Sequence, residues 1–336
     1  MSAFLNDKGL GYYLSDGGVQ WSRVFDAFAY GRKEDVEALL QRPEIKGRLK
    51  TTVRRYGLPD SNSQQKVNLL MASLLMAYKE LGNYEAKCSI VESLMRLDPT
   101  LANVSHLEYG TPLTFAIKLP DPSIAQMMLR LGADPNAPAE EYPESLTPLV
   151  VAIESGQYSL AESLLAANAD PNIPQSIGGS HTRRSVSVLY VAMEKVPLGL
   201  FKALLQAGAR TDWANYHSGV TSEGVEWETP ADSFLHVCAT SKHPELCDDD
   251  YEQRLILALE YGASTTAMVF KGPEDQHLTE MPLADYLRMP ENSTMVGHRM
   301  PNFLSALDTY ASVDAVAQRL SARPLLESVP EEGPAE

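Results

Sequence analysis

The sequence is poor in cysteine, in basic residues and in long hydrophobic runs. Its three cysteines in 336 residues are too few for a disulfide framework, so we expect a reducing compartment, most simply the cytoplasm. No run of about 18 apolar residues occurs and no secretory signal is recognised at the start, so we expect no membrane association. The 28 Lys and Arg residues against 44 Asp and Glu residues give a net charge of -16, which disfavours binding to nucleic-acid phosphates.

Motifs that would indicate cofactor chemistry are also missing. No Gly-x-x-x-x-Gly-Lys run occurs, and no paired-glycine nucleotide loop follows a predicted strand, so we expect no cofactor. At 44% hydrophobic and 21% charged residues, the composition is that of a globular protein that can bury a large core.

The middle of the chain contains an internal repeat. Three segments share one pattern, a hydroxyl residue followed by apolar residues: Thr111-Pro112-Leu113, Thr147-Pro148-Leu149 and Ser187-Val188-Leu189. Each precedes a closing turn by the same 21 residues, and the turns are Gly132-Ala133-Asp134, Asn168-Ala169-Asp170 and Gly208-Ala209-Arg210. Alanines and leucine pairs recur in register between them, as expected for two packed helices.

Each part of the pattern has a physical reason. A Thr or Ser hydroxyl caps the start of a helix, and proline fits the first helical position, where the amide has no partner. Glycine ends the second helix because it readily takes the left-handed backbone conformation. Asn168 replaces glycine in one repeat, and asparagine tolerates that conformation best among the other residues.

This pattern resembles the ankyrin repeat, with its Thr-Pro-Leu helix start, small residue, Leu-Leu pair and Gly-Ala-Asp turn. The resemblance implies an all-α ankyrin-repeat solenoid of about six to seven stacked helix pairs. It also implies extended β-hairpin or loop connections, here called fingers, and atypical capping repeats at the ends.

The resemblance is clear over residues 111–212 and weaker on either side. Upstream, residues 22–40 and 67–97 predict two divergent helix pairs. Downstream, Thr229-Pro230-Ala231 predicts a repeat that closes at Gly262, and Met281-Pro282-Leu283 predicts a last one with its second helix at about 302–320. We therefore divide the chain into the following segments: a divergent cap (1–100), ankyrin repeats with long fingers (101–270), a C-terminal capping repeat (271–322) and an acidic disordered tail (323–336).

The fingers are longer than in a typical repeat. The intervals from closing turn to next helix start are 15, 19 and 21 residues, where a typical repeat leaves about 12. A further insertion of about 12 residues, 239–250, is predicted between the two helices of the repeat that starts at Thr229. Four fingers and this insertion carry -11 of the net charge of -16, so we expect them to face a basic partner.

Aromatic and charged finger residues are the first candidate partner contacts, because aromatic rings often anchor protein interfaces. They are Glu140, Glu141, Tyr142, Arg183, Arg184, Trp213, Tyr216 and Trp227. Two alternatives stay open: Trp213 and Trp227 could pack the two legs of one hairpin, and acidic loops could simply be solvated.

The first helices supply a second candidate surface, the concave face on which partners of the resembled family usually dock. In register, its residues are Thr114, Lys118, Val150, Glu154, Tyr190 and Glu194. For Val150 and Tyr190 we favour the alternative that they pack between neighbouring repeats.

Two further clusters attract attention. His236, Cys238, His243 and Cys247 have the composition of a zinc site, but residues two apart on a helix point to different faces, so we favour a buried Cys238 and surface histidines. Residues 42–55 carry a local charge of +5, which predicts either a solvated loop or a contact with phosphate or an acidic surface.

These observations predict a protein-interaction module that is not an enzyme. We expect it to bind a basic partner protein and to inhibit or recruit it. A narrower form of this hypothesis is an immunity protein that neutralises a basic toxin. The alternatives are an adaptor or secreted effector subunit of a larger assembly, and a metal-dependent enzyme that uses the His236–Cys247 cluster.

Overall fold

A computed structural model describes most of the chain. The described residues are 14–15, 18–19, 21–30, 33–50, 53–54, 66–77, 84–106, 109–141, 144–178, 182–194, 196–212, 215–220, 226–228, 233–242, 249–270 and 278–311. The predicted acidic tail, 323–336, lies outside them.

Helices dominate the described part of the chain. They are α1 (Trp21–Tyr30), α2 (Lys33–Leu40), α3 (Pro43–Lys46), α4 (Leu69–Ala77), α5 (Tyr84–Leu97), α6 (Pro112–Ile117), α7 (Ser123–Arg130), α8 (Pro148–Glu154), α9 (Tyr158–Ala166), α10 (Val188–Ala192), α11 (Leu198–Gln206), α12 (Phe234–Ala239), α13 (Tyr251–Glu260), α14 (Leu283–Arg288) and α15 (Pro301–Tyr310). Short 3₁₀ turns occur at Pro99–Asn103, Pro290–Asn292 and Gly297–Arg299.

Apart from the short α3, the described helices contact one another as consecutive pairs, from α1 with α2 to α14 with α15. First helices also contact first helices of the next pair, and second helices contact second helices, for example α6 with α8 and α7 with α9. One continuous hydrophobic core runs from Val24 to Leu307. This arrangement is what stacked repeat units produce, because each unit buries its apolar faces against its neighbours.

Side-chain caps start several first helices, as the repeat pattern predicts. Each capping oxygen accepts a hydrogen bond from the backbone amide three residues later. The caps are Asn68 to Met71 (2.8 Å), Thr111 to Thr114 (3.2 Å), Ser187 to Tyr190 (3.2 Å) and Ser233 to His236 (3.4 Å). Asn68 shows that the divergent second unit uses the same kind of helix start with a different residue.

Two predicted helix starts are wrong in detail. Thr147 makes no side-chain cap; instead its backbone amide donates to Oε1 of Gln175 at 2.7 Å. The unit predicted to begin at Thr229 has its helix cap at Ser233, four residues later, while Thr229 lies outside the described residues. Ser233 and Gly262 are 29 residues apart, which is 8 more than the 21-residue spacing of the clear repeats. The insertion between α12 and α13 is therefore 8 residues long, not 12.

The closing turns confirm the predicted left-handed residues. Gly132, Gly208 and Gly262 have φ angles of 91°, 86° and 93°, and Asn168 has φ 63°. Asn168 is the only described residue other than glycine with positive φ. The turns therefore end their second helices in the same way despite the different residue.

The fingers form β-hairpins. Their strands are β5 (Ala139–Glu141), β6 (Glu144–Leu146), β7 (Gln175–Gly178), β8 (Thr182–Val186), β9 (Asn215–Val220), β10 (Glu226–Glu228), β11 (Thr266–Phe270) and β12 (Leu278–Pro282). Two short pairs precede them, β1 (Leu14–Ser15) with β2 (Gly18–Val19) and β3 (Val53–Arg54) with β4 (Lys66–Val67).

Three consecutive fingers join into one antiparallel sheet of six strands, in the order β10-β9-β8-β7-β6-β5. Strands β8 and β9 pair at five positions, from Thr182 opposite Gly219 to Val186 opposite Asn215. Strands β6 and β7 pair at one position, Ser145 opposite Ser176. We call this the finger sheet; the fourth finger, β11 with β12, forms a separate pair in the described residues.

Asparagine side chains link one closing turn to the next. Nδ2 of Asn136 donates to the carbonyl of Asn168 at 3.3 Å, and Oδ1 of Asn136 accepts from the amide of Asp170 at 2.8 Å. Asn172 repeats both contacts with the following turn, at 3.0 and 2.8 Å. These contacts, here called the asparagine ladder, hold consecutive units at one spacing.

Long polar side chains bind carbonyls at the ends of first helices in the preceding unit. Such carbonyls have no partner within their own helix, and cations suit this end of the helix dipole. The contacts are Lys87 Nζ to Phe28 O (3.3 Å), Gln157 Nε2 to Leu119 O (3.3 Å) and Arg254 Nη1 to Val196 O (2.8 Å).

Arg254 occupies a position that is apolar in the other units. It lies eight residues before the closing glycine, where Ile124, Leu160 and Leu200 lie in the preceding three units. Its side chain is fully buried, as those three are nearly or fully. Neither its burial nor its carbonyl partner could be recognised from the local sequence.

The last pair, α14 with α15, is attached by polar contacts. Oε1 of Glu252 accepts from the amide of Phe303 at 3.0 Å and so caps α15 from the neighbouring unit. Arg288 binds Asp308 with two hydrogen bonds, the first at 2.9 Å, which lowers the pKa of the Asp308 carboxyl. α15 begins within one residue of its predicted start; the described part ends at Tyr310, and residues 312–320 lie outside the described residues.

The asparagine ladder predicts the effect of Asn172→Ala. Because two hydrogen bonds to the next turn are lost, we expect the free energy of unfolding to fall by about 1–2 kcal/mol in urea titrations followed by circular dichroism. Gln206→Ala is the matched control, since Gln206 is an exposed amide side chain in the neighbouring α11. Equal effects of the two substitutions would show that the ladder contributes nothing.

Arg254 predicts a graded series. Arg254→Ala removes a buried side chain and the donor to Val196, so we expect a loss of about 3–5 kcal/mol. Arg254→Leu restores the apolar residue of the other units but removes the donor to the Val196 carbonyl, so we expect a loss of about 1–3 kcal/mol. The exposed Arg299→Ala is the control in the same urea titrations. A leucine variant less stable than the alanine variant would contradict this explanation.

Candidate functional site

The finger sheet is held on the helical layer by buried residues at its base. Gln175 is 1% exposed and accepts the amide of Thr147, so it joins the start of β7 to the start of α8. Val186 and Ser185, at the end of β8, are also buried. The base of the sheet is therefore part of the core, which fixes its position relative to the helices.

Charge changes sign across the strand order of the finger sheet. One outer hairpin, β5 with β6, contains Glu140, Glu141 and Glu144, and the opposite outer strand, β10, contains Glu226 and Glu228. The basic pair Arg183 and Arg184 lies in β8, between them. The order acidic, basic, acidic is also the order along the chain, and the strand pairing adds that the three fingers lie side by side in one sheet.

The structure places most predicted finger residues on this one sheet. Arg183 stands opposite Gly178 and Ser218, and Arg184 opposite Ile177 and His217. Tyr216 stands opposite Ser185.

The two finger tryptophans are only partly described. Trp227 stands opposite Gly219, while Trp213, like Tyr142, lies outside the described residues. Whether the two tryptophan rings meet therefore stays a prediction.

The predicted residues of the first helices divide into exposed and buried groups. Lys118, Glu154 and Glu194 are exposed. They lie seven residues after Thr111, Thr147 and Ser187, so they recur at one position of successive units. These three residues therefore form one exposed row along the first helices.

Other predicted first-helix residues are not available. Thr114 is fully buried, and its hydroxyl accepts the amide of Thr111 at 2.9 Å, so its inclusion in an exposed surface is wrong. Val150 is fully buried, and Tyr190 is half-buried against the core, as the packing alternative predicted.

The metal-like cluster contains one core residue and one packed ring. Cys238 is 3% exposed and lies five residues after Ser233, the position that alanine occupies in the three clear repeats. The ring of His236 meets that of Tyr286 edge to face at 6.0 Å. His243 and Cys247 lie outside the described residues, and within the described residues no group of His, Cys, Asp and Glu could hold a metal ion.

Arg210 forms an exposed ion pair between the asparagine ladder and the third finger. Its amide binds Asn172, while its guanidinium binds both oxygens of Asp212, at 3.0 and 2.6 Å. These hydrogen bonds raise the already high pKa of Arg210. Arg210 and Asp212 lie where the two preceding turns have Asp and Asn. The turn that Asn172 binds therefore has a basic residue where the preceding turns have an acidic one.

An open groove on the second helices was not foreseen from the sequence. It lies between α11 and α13, has a volume of about 360 Å³, and is lined by Leu198, Gly199, Lys202, Gln253, Ile256, Leu257 and Glu260. Gly199 contributes to this opening, because no atom lies within 4 Å of where its side chain would start.

No described helix combines the length and apolar character needed to cross a membrane.

Comparison with known proteins agrees with the repeat pattern. The chain has no significant match among curated proteins. The family model described as ankyrin repeat matches residues 145–175, which run from the end of β6 through α8 and α9 to the start of β7. Ankyrin repeats generally serve as protein-interaction modules and not as enzymes. The resemblance is thereby confirmed for this segment: the chain contains an ankyrin repeat at residues 145–175.

Proposed function

We propose that this protein binds a basic partner protein through the finger sheet and the adjoining row of first-helix residues. The observation that carries the proposal is the joining of three fingers into one sheet whose two outer strands contain four glutamates. Acidic residues at both edges attract a basic surface and orient it during approach.

Attachment of the sheet to the core supports the same function. Separate loops would lose conformational entropy when a partner binds, whereas paired strands with a buried base have already lost most of it. Gln175 and the pairing of β8 with β9 supply this rigidity. The aromatic residues Tyr216 and Trp227 lie on the same strands and are our candidates for contact anchors.

The row of exposed residues extends the proposed contact to the first helices. Lys118, Glu154 and Glu194 repeat unit by unit, so a partner that spans several fingers also spans several members of the row. Together, the fingers and first helices form a contact surface that extends over several units. Such a surface can be more specific for a partner than the surface of a single unit.

We further propose that the stacked helix pairs are six to seven ankyrin units. The shared helix caps, left-handed closing residues and ladder contacts support this count for the units around the matched repeat. In the cytoplasm, the expected compartment, such a protein would inhibit its partner by covering a basic functional surface. The adaptor or effector alternative would instead leave that surface accessible while the partner is held.

Neutralising the outer glutamates tests the proposed contact. A basic partner is first identified by affinity capture and then purified. For the variant Glu140→Gln, Glu141→Gln, Glu226→Gln, Glu228→Gln, we expect a Kd at least about tenfold weaker and less dependent on salt, measured by calorimetry at two salt concentrations.

The control removes the same charge elsewhere. Glu34, Glu162, Glu260 and Glu291 are exposed and lie outside the four fingers. Their replacement by Gln removes the same number of negative charges as the finger variant does. A control variant that weakens binding as much as the finger variant would reduce the effect to net charge. A partner that is acidic, or an affinity indifferent to salt, would contradict the proposal.

A further inference from the structure

A basic surface lies far along the chain from the acidic fingers. Arg42, Lys46, Arg48 and Lys50, in and around α3, are all exposed. We call these four residues the basic patch. It occupies the segment after the first helix pair, where two of the three clear repeats have a closing turn with an aspartate.

The patch is fixed by apolar anchors. Ile45 is fully buried and Leu49 is 5% exposed, and both belong to the continuous core. Backbone hydrogen bonds continue the turn from Arg42 to Arg48, including Lys46 to Arg42 at 3.0 Å and Arg48 to Ile45 at 3.0 Å. Four cations are therefore held together on an ordered segment, despite their mutual repulsion.

The described acidic residues neutralise only part of this charge. Lys50 lies 3.8 Å from Asp98 with 61% of its side chain exposed, and Lys46 binds the neutral amide of Gln41 at 3.3 Å. Arg42 and Arg48 have no ion-pair or side-chain hydrogen-bond partner among the described residues. Two guanidinium groups are thus available for carboxylates, with which arginine can form paired hydrogen bonds.

The neighbouring hairpin adds charge of the same sign. In the register of β3 and β4, Arg54 stands directly opposite Lys66. The hairpin and the basic patch therefore carry charge of the same sign in the sequence.

Charge is also divided unequally along the chain. Residues 1–100 contain 14 Lys and Arg against 12 Asp and Glu, a net charge of +2. Residues 101–336 contain 14 against 32, a net charge of -18. A long polyanion such as nucleic acid would extend from the patch to residues of the acidic part of the chain and be repelled by them. A short acidic segment can contact the patch alone, because repulsion from charges more than about 8 Å away is screened at physiological salt.

We propose that the basic patch is a second docking surface, which binds a short acidic segment of a protein through Arg42 and Arg48. This surface is separate from the finger sheet, so it does not depend on the function proposed above. The probe is a fluorescein-labelled peptide of twelve glutamates, titrated with the full chain at low salt and followed by fluorescence anisotropy.

The charge-reversal variant Arg42→Glu/Arg48→Glu is expected to weaken peptide binding at least about tenfold. Arg130→Glu/Lys202→Glu makes the same charge change at exposed second-helix positions and should bind nearly as the unmodified chain does. The finger variant with four glutamines should retain binding. Should charge reversal lower the urea midpoint, Arg42→Gln/Arg48→Gln serves instead, with a smaller loss expected.

Three results would overturn the proposal. The first is no binding of the peptide by the unmodified chain, or equal binding by the patch and control variants. The second is tighter binding of a twelve-nucleotide single strand than of the peptide, which would indicate a nucleic-acid site. The third is salt-sensitive oligomers in sedimentation velocity that the patch variant alone abolishes, since the acidic segment would then be a second copy of this chain.

Discussion

The asparagine ladder depends on one constraint, the fixed spacing between helix start and closing turn. Because 21 residues separate Thr111 from Gly132 and Thr147 from Asn168, both turns emerge from helix pairs of equal length. Asn136 can then reach the carbonyl and amide of the next turn, and Asn172 can repeat these contacts at nearly the same distances. A unit of different length would displace its turn and break the ladder on both sides.

The finger sheet follows from this regular spacing. Packed helices lie about 8–10 Å apart, and strands in a sheet lie about 4.8 Å apart. The two strands of a finger therefore extend about as far along the stack as one helix does. Fingers long enough to extend past the turn can therefore pair with their neighbours. The three-residue strands of the first finger pair with the second at one position, whereas the longer β8 and β9 pair at five. The extra residues noticed in the sequence thus convert separate hairpins into one surface.

Local features were predictable from the sequence, and features that depend on distant partners were not. The left-handed Asn168 and the cap of Thr111 follow from residues within one turn. Thr147 has the same sequence pattern, but its amide is bound by Gln175, 28 residues away. Likewise, Thr229-Pro230 has the sequence pattern of a helix start, but the cap lies at Ser233. With the cap at Ser233, Leu235 and Cys238 occupy the buried positions of the repeat. The candidate site shares this limit, since its charges and their order along the chain were visible in the sequence, but the joining of the fingers into one sheet was not.

The outer strands of the finger sheet are short and contain charged residues. An exposed edge strand invites pairing with other chains, and charged residues on a three-residue strand oppose this. The glutamates of β5 and β10 therefore act against edge pairing whether or not a partner is bound. A partner that binds them must bring its own positive charge. The basic patch lies next to the first helix pair, at the N-terminal end of the stack, and carries charge of the opposite sign. A ligand that contacts both proposed surfaces would have to present positive charge to the finger sheet and negative charge to the basic patch, which would fix its direction along the stack.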